Sequence, residues 1–162
     1  MTDMTMTDPD DTSQPPPPAT DLRVERSGTR RYVGHSSRGA RVEIGSADVE
    51  GVFTPGELLK IALGACTAMA SDFTISRRLG DDYAATVRVS GDADREAERY
   101  PRLEEIYELD LTGLDPAMAD RVLGMIRRSV DATCTVGRTL TAGTAIGLRF
   151  DTGIDRTGGD AP

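Results

Sequence analysis

The stretch T-P-G-E-L-L-K-I-A-L-G-A-C-T-A-M, from Thr54 to Met69, decides how this chain is read. It opens as a helix. Thr54 stands where an N-cap belongs, Pro55 at the first helical position and Glu57 three residues after the threonine, the capping-box pattern. Leu58, Leu59, Ala62, Cys66, Met69, Phe73 and Leu79 then recur at helical spacing, and Ile61, Leu63 and Ala65 widen the apolar stripe nearly all round. Such a helix is expected to be buried on most sides. Arg77-Arg78 followed by Gly80 marks its end.

On the N-terminal side, Leu22 to Arg26, Arg30 to His35 and Arg41 to Ile44 are short, partly alternating runs separated by Ser27-Gly28 and by Ser36-Ser37-Arg38-Gly39. They read as two or three antiparallel strands joined by tight turns, with Ala47 to Phe53 a loop or a further short strand. On the C-terminal side, Tyr83 to Gly91 and Leu103 to Leu111 alternate as strands around a charged loop. Asp115 caps a second helix with Pro116 at its first position, and Met118, Val122, Ile126, Val130 and Cys134 share one face. The segment C-T-V-G-R-T-L after that helix leads into a strand-like stretch, and Ala145 to Phe150 reads as a last strand. The expected order is β-β-(β)-α-β-β-α-β, an α+β domain with antiparallel β-sheets and two main helices.

Composition sets the boundaries. Met1 to Thr20 is built from Asp, Thr, Ser and Pro and includes the run Pro15 to Pro18. It holds too little apolar surface to offset its ordering entropy. Thr152 to Pro162 is similar, which leaves residues 21–151 as one folded domain between a disordered tail, 1–20, and a flexible tail, 152–162. Net charge is −8, of which the unpartnered Asp3, Asp8, Asp10 and Asp11 supply half. An acidic chain with no basic face is not expected to bind nucleic acid. No run looks as long as a membrane span and the N-terminus lacks a signal-peptide pattern, so a cytoplasmic location without a membrane partner is expected.

The chain has two cysteines, Cys66 and Cys134, and one histidine, His35. Taken alone, each cysteine reads either as a small buried hydrophobe or as half of a redox pair, because free Cys is among the most buried residue types. The reactive reading needs a thiolate, hence a nearby positive charge or hydrogen-bond donor. A zinc site has no support from ligand spacing, and no metal or other cofactor is expected.

The quoted helix resembles the segment around the first cysteine of the OsmC/Ohr family of thiol-dependent peroxidases. Leu111-Thr112-Gly113-Leu114-Asp115-Pro116, a helix and then Cys134-Thr135-Val136 resemble that family's second-cysteine region. The likeness runs from Val24 to Phe150, and the order of elements matches. It implies an intertwined homodimer that reduces organic hydroperoxides. Cys66 would be oxidised to a sulfenic acid, Cys134 would resolve it to a disulfide, and a small-molecule or protein dithiol would reset the pair. It also implies an arginine from the N-terminal strands that supports the thiolate. Alignment of the Ser36–Gly39 turn places it at Arg30, with Arg31 one register slip away and Arg26 a further alternative. The glutamate that holds this arginine would be Glu57, which the capping box explains equally well. In the organic-hydroperoxide subgroup that glutamate falls one residue earlier, where this chain has Gly56, and Pro55-Gly56-Glu57-Leu58-Leu59 resembles a less characterised OsmC-like subgroup. Glu57 and Cys66 lie nine residues apart on one helix, which places them about 13 Å apart on opposite sides, so a site that uses both is expected to span a dimer. The alternative function is non-catalytic: small-ligand binding or redox sensing on the same fold.

Overall fold

The computed structural model describes residues 21–146. Both expected tails, and Gly147 to Phe150 of the expected last strand, lie outside the described residues, while Ala145 and Ile146 have no regular structure. The chain divides into two compact units with the boundary between Pro55 and Gly56.

The first unit is a three-stranded antiparallel sheet of β1 (Leu22–Gly28), β2 (Arg31–Ser36) and β3 (Arg41–Ile44), in that spatial order. Val33 is buried, and Gly34 lets strands close in: a Cβ there would sit 2.9 Å from Val42 Cγ1. Arg30 lies in the turn between β1 and β2, rather than opening the second strand, and takes φ 54°. Few side chains adopt that left-handed conformation. Ala47 to Phe53 is a loop that touches β3 through one bridge, Ile44 to Phe53. His35 sits on β2 with its Nε2 3.3 Å from Glu25.

The second unit contains α1 (Pro55–Leu79), a hairpin of β4 (Ala85–Ser90) and β5 (Glu104–Leu109), then α2 (Pro116–Thr133) and α3 (Thr135–Ala142). α1 starts at Pro55, as the sequence predicts, and stops at Gly80, whose φ of 89° turns the chain while its N–H donates to Ser76 O. α2 is capped by Asp115, whose carboxylate accepts from Met118 N at 3.0 Å. Val87 and Val89 alternate with exposed Thr86 and Arg88, so one face of the hairpin is turned inward. The core gathers Ile75 of α1 with Val122 and Ile126 of α2, and Tyr107 and Leu109 of β5 pack against it.

Three expectations are corrected here. The buried face of α1 is Leu63, Gly64, Thr67, Ser71 and Ile75, whereas Met69 is 79% and Phe73 70% exposed. Gly64 sets this direction: a Cβ there would lie 2.9 Å from Val89 Cγ2, so only glycine lets α1 approach β4 this closely. The chain after Cys134 is helical rather than strand-like, because Cys134 ends α2 and at once caps α3. And α1, at 25 residues, is long and apolar enough to cross a membrane by length and composition. Lys60 and Asp72 interrupt its apolar run. Its polar Thr67 and Ser71 are turned inward, and Ser129 of α2 donates to Ala70 O, the packing of a core helix.

Candidate functional site

Cys66 lies in the middle of α1, partly exposed, and Cys134 lies at the α2–α3 junction, only 2% exposed. Both thiols are free, and Cys66 lies near enough to Cys134 within one chain to bear on its titration. Distant positions in the sequence therefore meet where α1 passes the end of α2.

The junction is built on a single residue. Cys134 has φ −71° and ψ 92°, an extended conformation that breaks one helix and starts the next. Its N–H still donates to Val130 O, closing α2, while its Sγ accepts from Gly137 N at 3.4 Å and caps α3. Cysteine is an uncommon cap, since Ser, Thr, Asp and Asn fill that role best. Gly137 makes room for it, because a Cβ there would lie 3.2 Å from the sulfur. Thr67, next to Cys66 on α1 and itself buried, brings its Oγ1 to 3.8 Å from Cys134 Sγ.

Burial pushes the Cys134 thiol up from its ordinary range, and hydrogen bonding with Cys66 adds to this. The Gly137 N–H and the Thr67 hydroxyl pull the other way. At neutral pH Cys134 keeps its proton, and Cys66 is the more exposed of the two sulfurs. This asymmetry suits a pair in which one sulfur meets an oxidant first.

A cleft of about 690 Å³ borders Gly137, with Leu59, Leu63 and Leu140 on its walls beside Arg99, Arg102 and Glu105. Gly137 also touches the Cys134 sulfur, and a Cβ there would be 3.6 Å from Leu63 Cδ1. Lys60 Nζ donates to Gly91 O at 2.6 Å and lies over the ring of Tyr100, a residue of the cleft wall. The single lysine of the chain therefore ties α1 to the end of β4. Among the described residues no His, Cys, Asp and Glu side chains cluster in a group that could hold a metal ion.

The family model for OsmC-like protein matches residues 47–149, most of the described chain. The chain belongs to the OsmC-like family. An uncharacterized protein of Mycobacterium tuberculosis is 63% identical to it over 129 residues, which cover 80% of this chain and 94% of that one. Among solved structures, an OsmC-like protein of unknown function from Vibrio cholerae superposes with a TM-score of 0.54 at 13% identity, covering 75% of this chain and 92% of its own. The organic hydroperoxide resistance protein OsmC from Legionella pneumophila gives 0.52 at 17% identity, with 75% and 88% covered. At such identities these two likenesses establish the α+β OsmC-like fold and nothing finer.

Of the four site residues that the sequence singles out, Cys66 and Cys134 come together. Glu57 lies exposed in the first turn of α1, and Arg30 lies in the turn of the N-terminal sheet. Sequence reasoning passed over Thr67, Gly137 and α3. The spacing of Val136 and Leu140, with Gly143 just past the helix end, was the available signal for α3.

Proposed function

We propose that this OsmC-like protein is a thiol-dependent peroxidase for organic hydroperoxides. The observation that carries the reading is that α1 brings a partly exposed Cys66 beside a buried Cys134 in one chain, where the next residue, Thr67, reaches the Cys134 sulfur. The Cys66 thiolate attacks the outer oxygen of ROOH. The O–O bond breaks, the alkoxide leaves and is protonated to ROH, and Cys66 becomes a sulfenic acid. Cys134 condenses with it to a disulfide, releasing water, and a dithiol reductant restores both thiols. The leucines in the cleft that borders Gly137 support an organic substituent on the peroxide. Free cysteines accord with a reducing, cytoplasmic setting.

Arg30 is assigned to support of the Cys66 thiolate, and Glu57 to orientation of that arginine. Its left-handed backbone favours Arg30 over Arg26 and Arg31, because strain of that kind gathers at functional sites. We assign the working unit to a homodimer, in which these residues come from different protomers. Ile61, Met69 and Phe73 leave apolar surface on α1 for a second copy to cover. Light scattering at micromolar concentration is expected to give twice the 17.3 kDa chain mass. A monomer that retains turnover would remove the cross-protomer role of Glu57.

One equivalent of cumene hydroperoxide should link Cys66 to Cys134 within a chain, seen by non-reducing peptide mapping. Links between chains only, or a Cys66 driven to sulfinic acid with Cys134 untouched, would overturn the resolving role.

A further inference from the structure

We propose that Thr67 is a positioning residue for Cys134, its hydroxyl and the Gly137 N–H forming a two-donor cradle that aims the resolving sulfur at Cys66. The inference rests on the peroxidase reading for its purpose, but its geometry stands without it. Thr67 follows Cys66 directly on α1, so the residue that carries the oxidised sulfur also fixes the donor beside the attacking one. Thr67 is 6% exposed, and its Oγ1 lies 3.8 Å from Cys134 Sγ, on a sulfur that Gly137 N approaches at 3.4 Å from α3. The titratable group that bears on Cys134 is Cys66 from α1; Thr67 and the Gly137 N–H are its neutral polar neighbours.

The cradle matters when Cys134 loses its proton. In the thiol form either Thr67 or Cys134 can donate. In the thiolate form only Thr67 can, so the contact strengthens as charge appears on sulfur. The backbone donor is one of the first N–H groups of α3, where the helix end also favours negative charge. Burial opposes ionisation of Cys134, and these two donors offset it at the moment of resolution. The Cys134 thiolate then attacks the Cys66 sulfenic sulfur. The S–S bond forms, the S–O bond breaks, and the departing hydroxide takes up the proton that Cys134 released, leaving as water.

The test begins in a Cys66→Ala background, where Cys134 is the only thiol and hydroperoxide chemistry plays no part. Thiolate absorbance near 240 nm is followed against pH for Cys66→Ala alone and with Thr67→Val or Thr67→Ser. Loss of one donor to a charged sulfur should raise the midpoint by about one pH unit in Thr67→Val, and Thr67→Ser should restore it. A valine effect that serine does not rescue would assign Thr67 to packing alone and overturn the proposal. So would an unchanged midpoint. In the Cys66-containing protein, Thr67→Val should slow disulfide formation after one equivalent of cumene hydroperoxide by about threefold at neutral pH. Roughly tenfold less thiolate is partly offset by the greater nucleophilicity of a more basic one. Wild-type protein that does not consume hydroperoxide at all would sink the peroxidase reading, and the Cys66→Ala titration would still decide on Thr67.

Discussion

Cys66→Ser is expected to reduce cumene hydroperoxide no faster than background, a loss of at least about a thousandfold in turnover. The attack needs a polarisable anionic sulfur, and a serine hydroxyl supplies neither the charge nor the nucleophilicity at neutral pH. Nothing else at the site replaces it, because Cys134 is 2% exposed and burial keeps it protonated. Cys134→Ser should behave differently. Cys66 remains at the solvent side, so the first equivalent of hydroperoxide is consumed in a burst. Further turnover is then slower, because no second thiol of the chain captures the sulfenic acid and only the external dithiol can; dimedone should trap it. Stopped-flow consumption with a dithiol reductant separates the cases. If Cys134→Ser is inactive while Cys66→Ser retains more than about a tenth of the wild-type rate, the two sulfurs have exchanged roles. Equal activity of both variants and wild type at background would favour the non-catalytic reading, a small-ligand binder or redox sensor.

What the sequence shows of this molecule follows the range of the forces involved. The strands, the start of α1 behind Thr54 and Pro55, its stop at Gly80 and the Asp115–Pro116 start of α2 are all written in local signals. Caps, turns and breakers act within a few residues, so they are legible there. The buried face of α1 is not local. The helix is apolar nearly all round, and periodicity cannot choose among several apolar faces. The choice falls to Gly64 against Val89 and to two small hydroxyls, Thr67, which meets the Cys134 sulfur, and Ser71, which donates to the α1 backbone and to Tyr107. α3 was missed for a related reason: Thr135, Val136 and Thr139 are β-branched, and the helix depends on the Cys134 sulfur as its cap. The Cys66–Cys134 pairing followed from family resemblance, since nothing in the spacing of two cysteines so far apart implies contact. That α1 passes Cys134 at Thr67 is a tertiary fact.

Ile75→Ala is expected to destabilise the fold by about 3–4 kcal/mol, measured by urea unfolding with an unchanged slope. Ile75 is 0% exposed and sits with Val122 and Ile126 at the centre of the core of the second unit. Truncation removes buried methyl groups and leaves a hole that α1 cannot close: Gly64 already holds it against β4, and Ser129 is bonded to its backbone at Ala70. Few side chains here are fully buried, so neighbours offer little to compensate, and domains of this size have only about 5–15 kcal/mol in total. Phe73→Ala is the informative companion. The sequence stripe places Phe73 inside and omits Ile75, whereas the structure leaves Phe73 70% exposed. If that stripe were the buried one, Phe73→Ala would cost several kcal/mol and Ile75→Ala less than about 0.5 kcal/mol, as at surface sites. In the fold described here the order is reversed. If the proposed homodimer covers this face of α1, the cost at Phe73 beyond its contact with Arg77 should grow with protein concentration. A concentration-independent loss at Phe73 as large as that at Ile75 would mean that α1 is turned the other way.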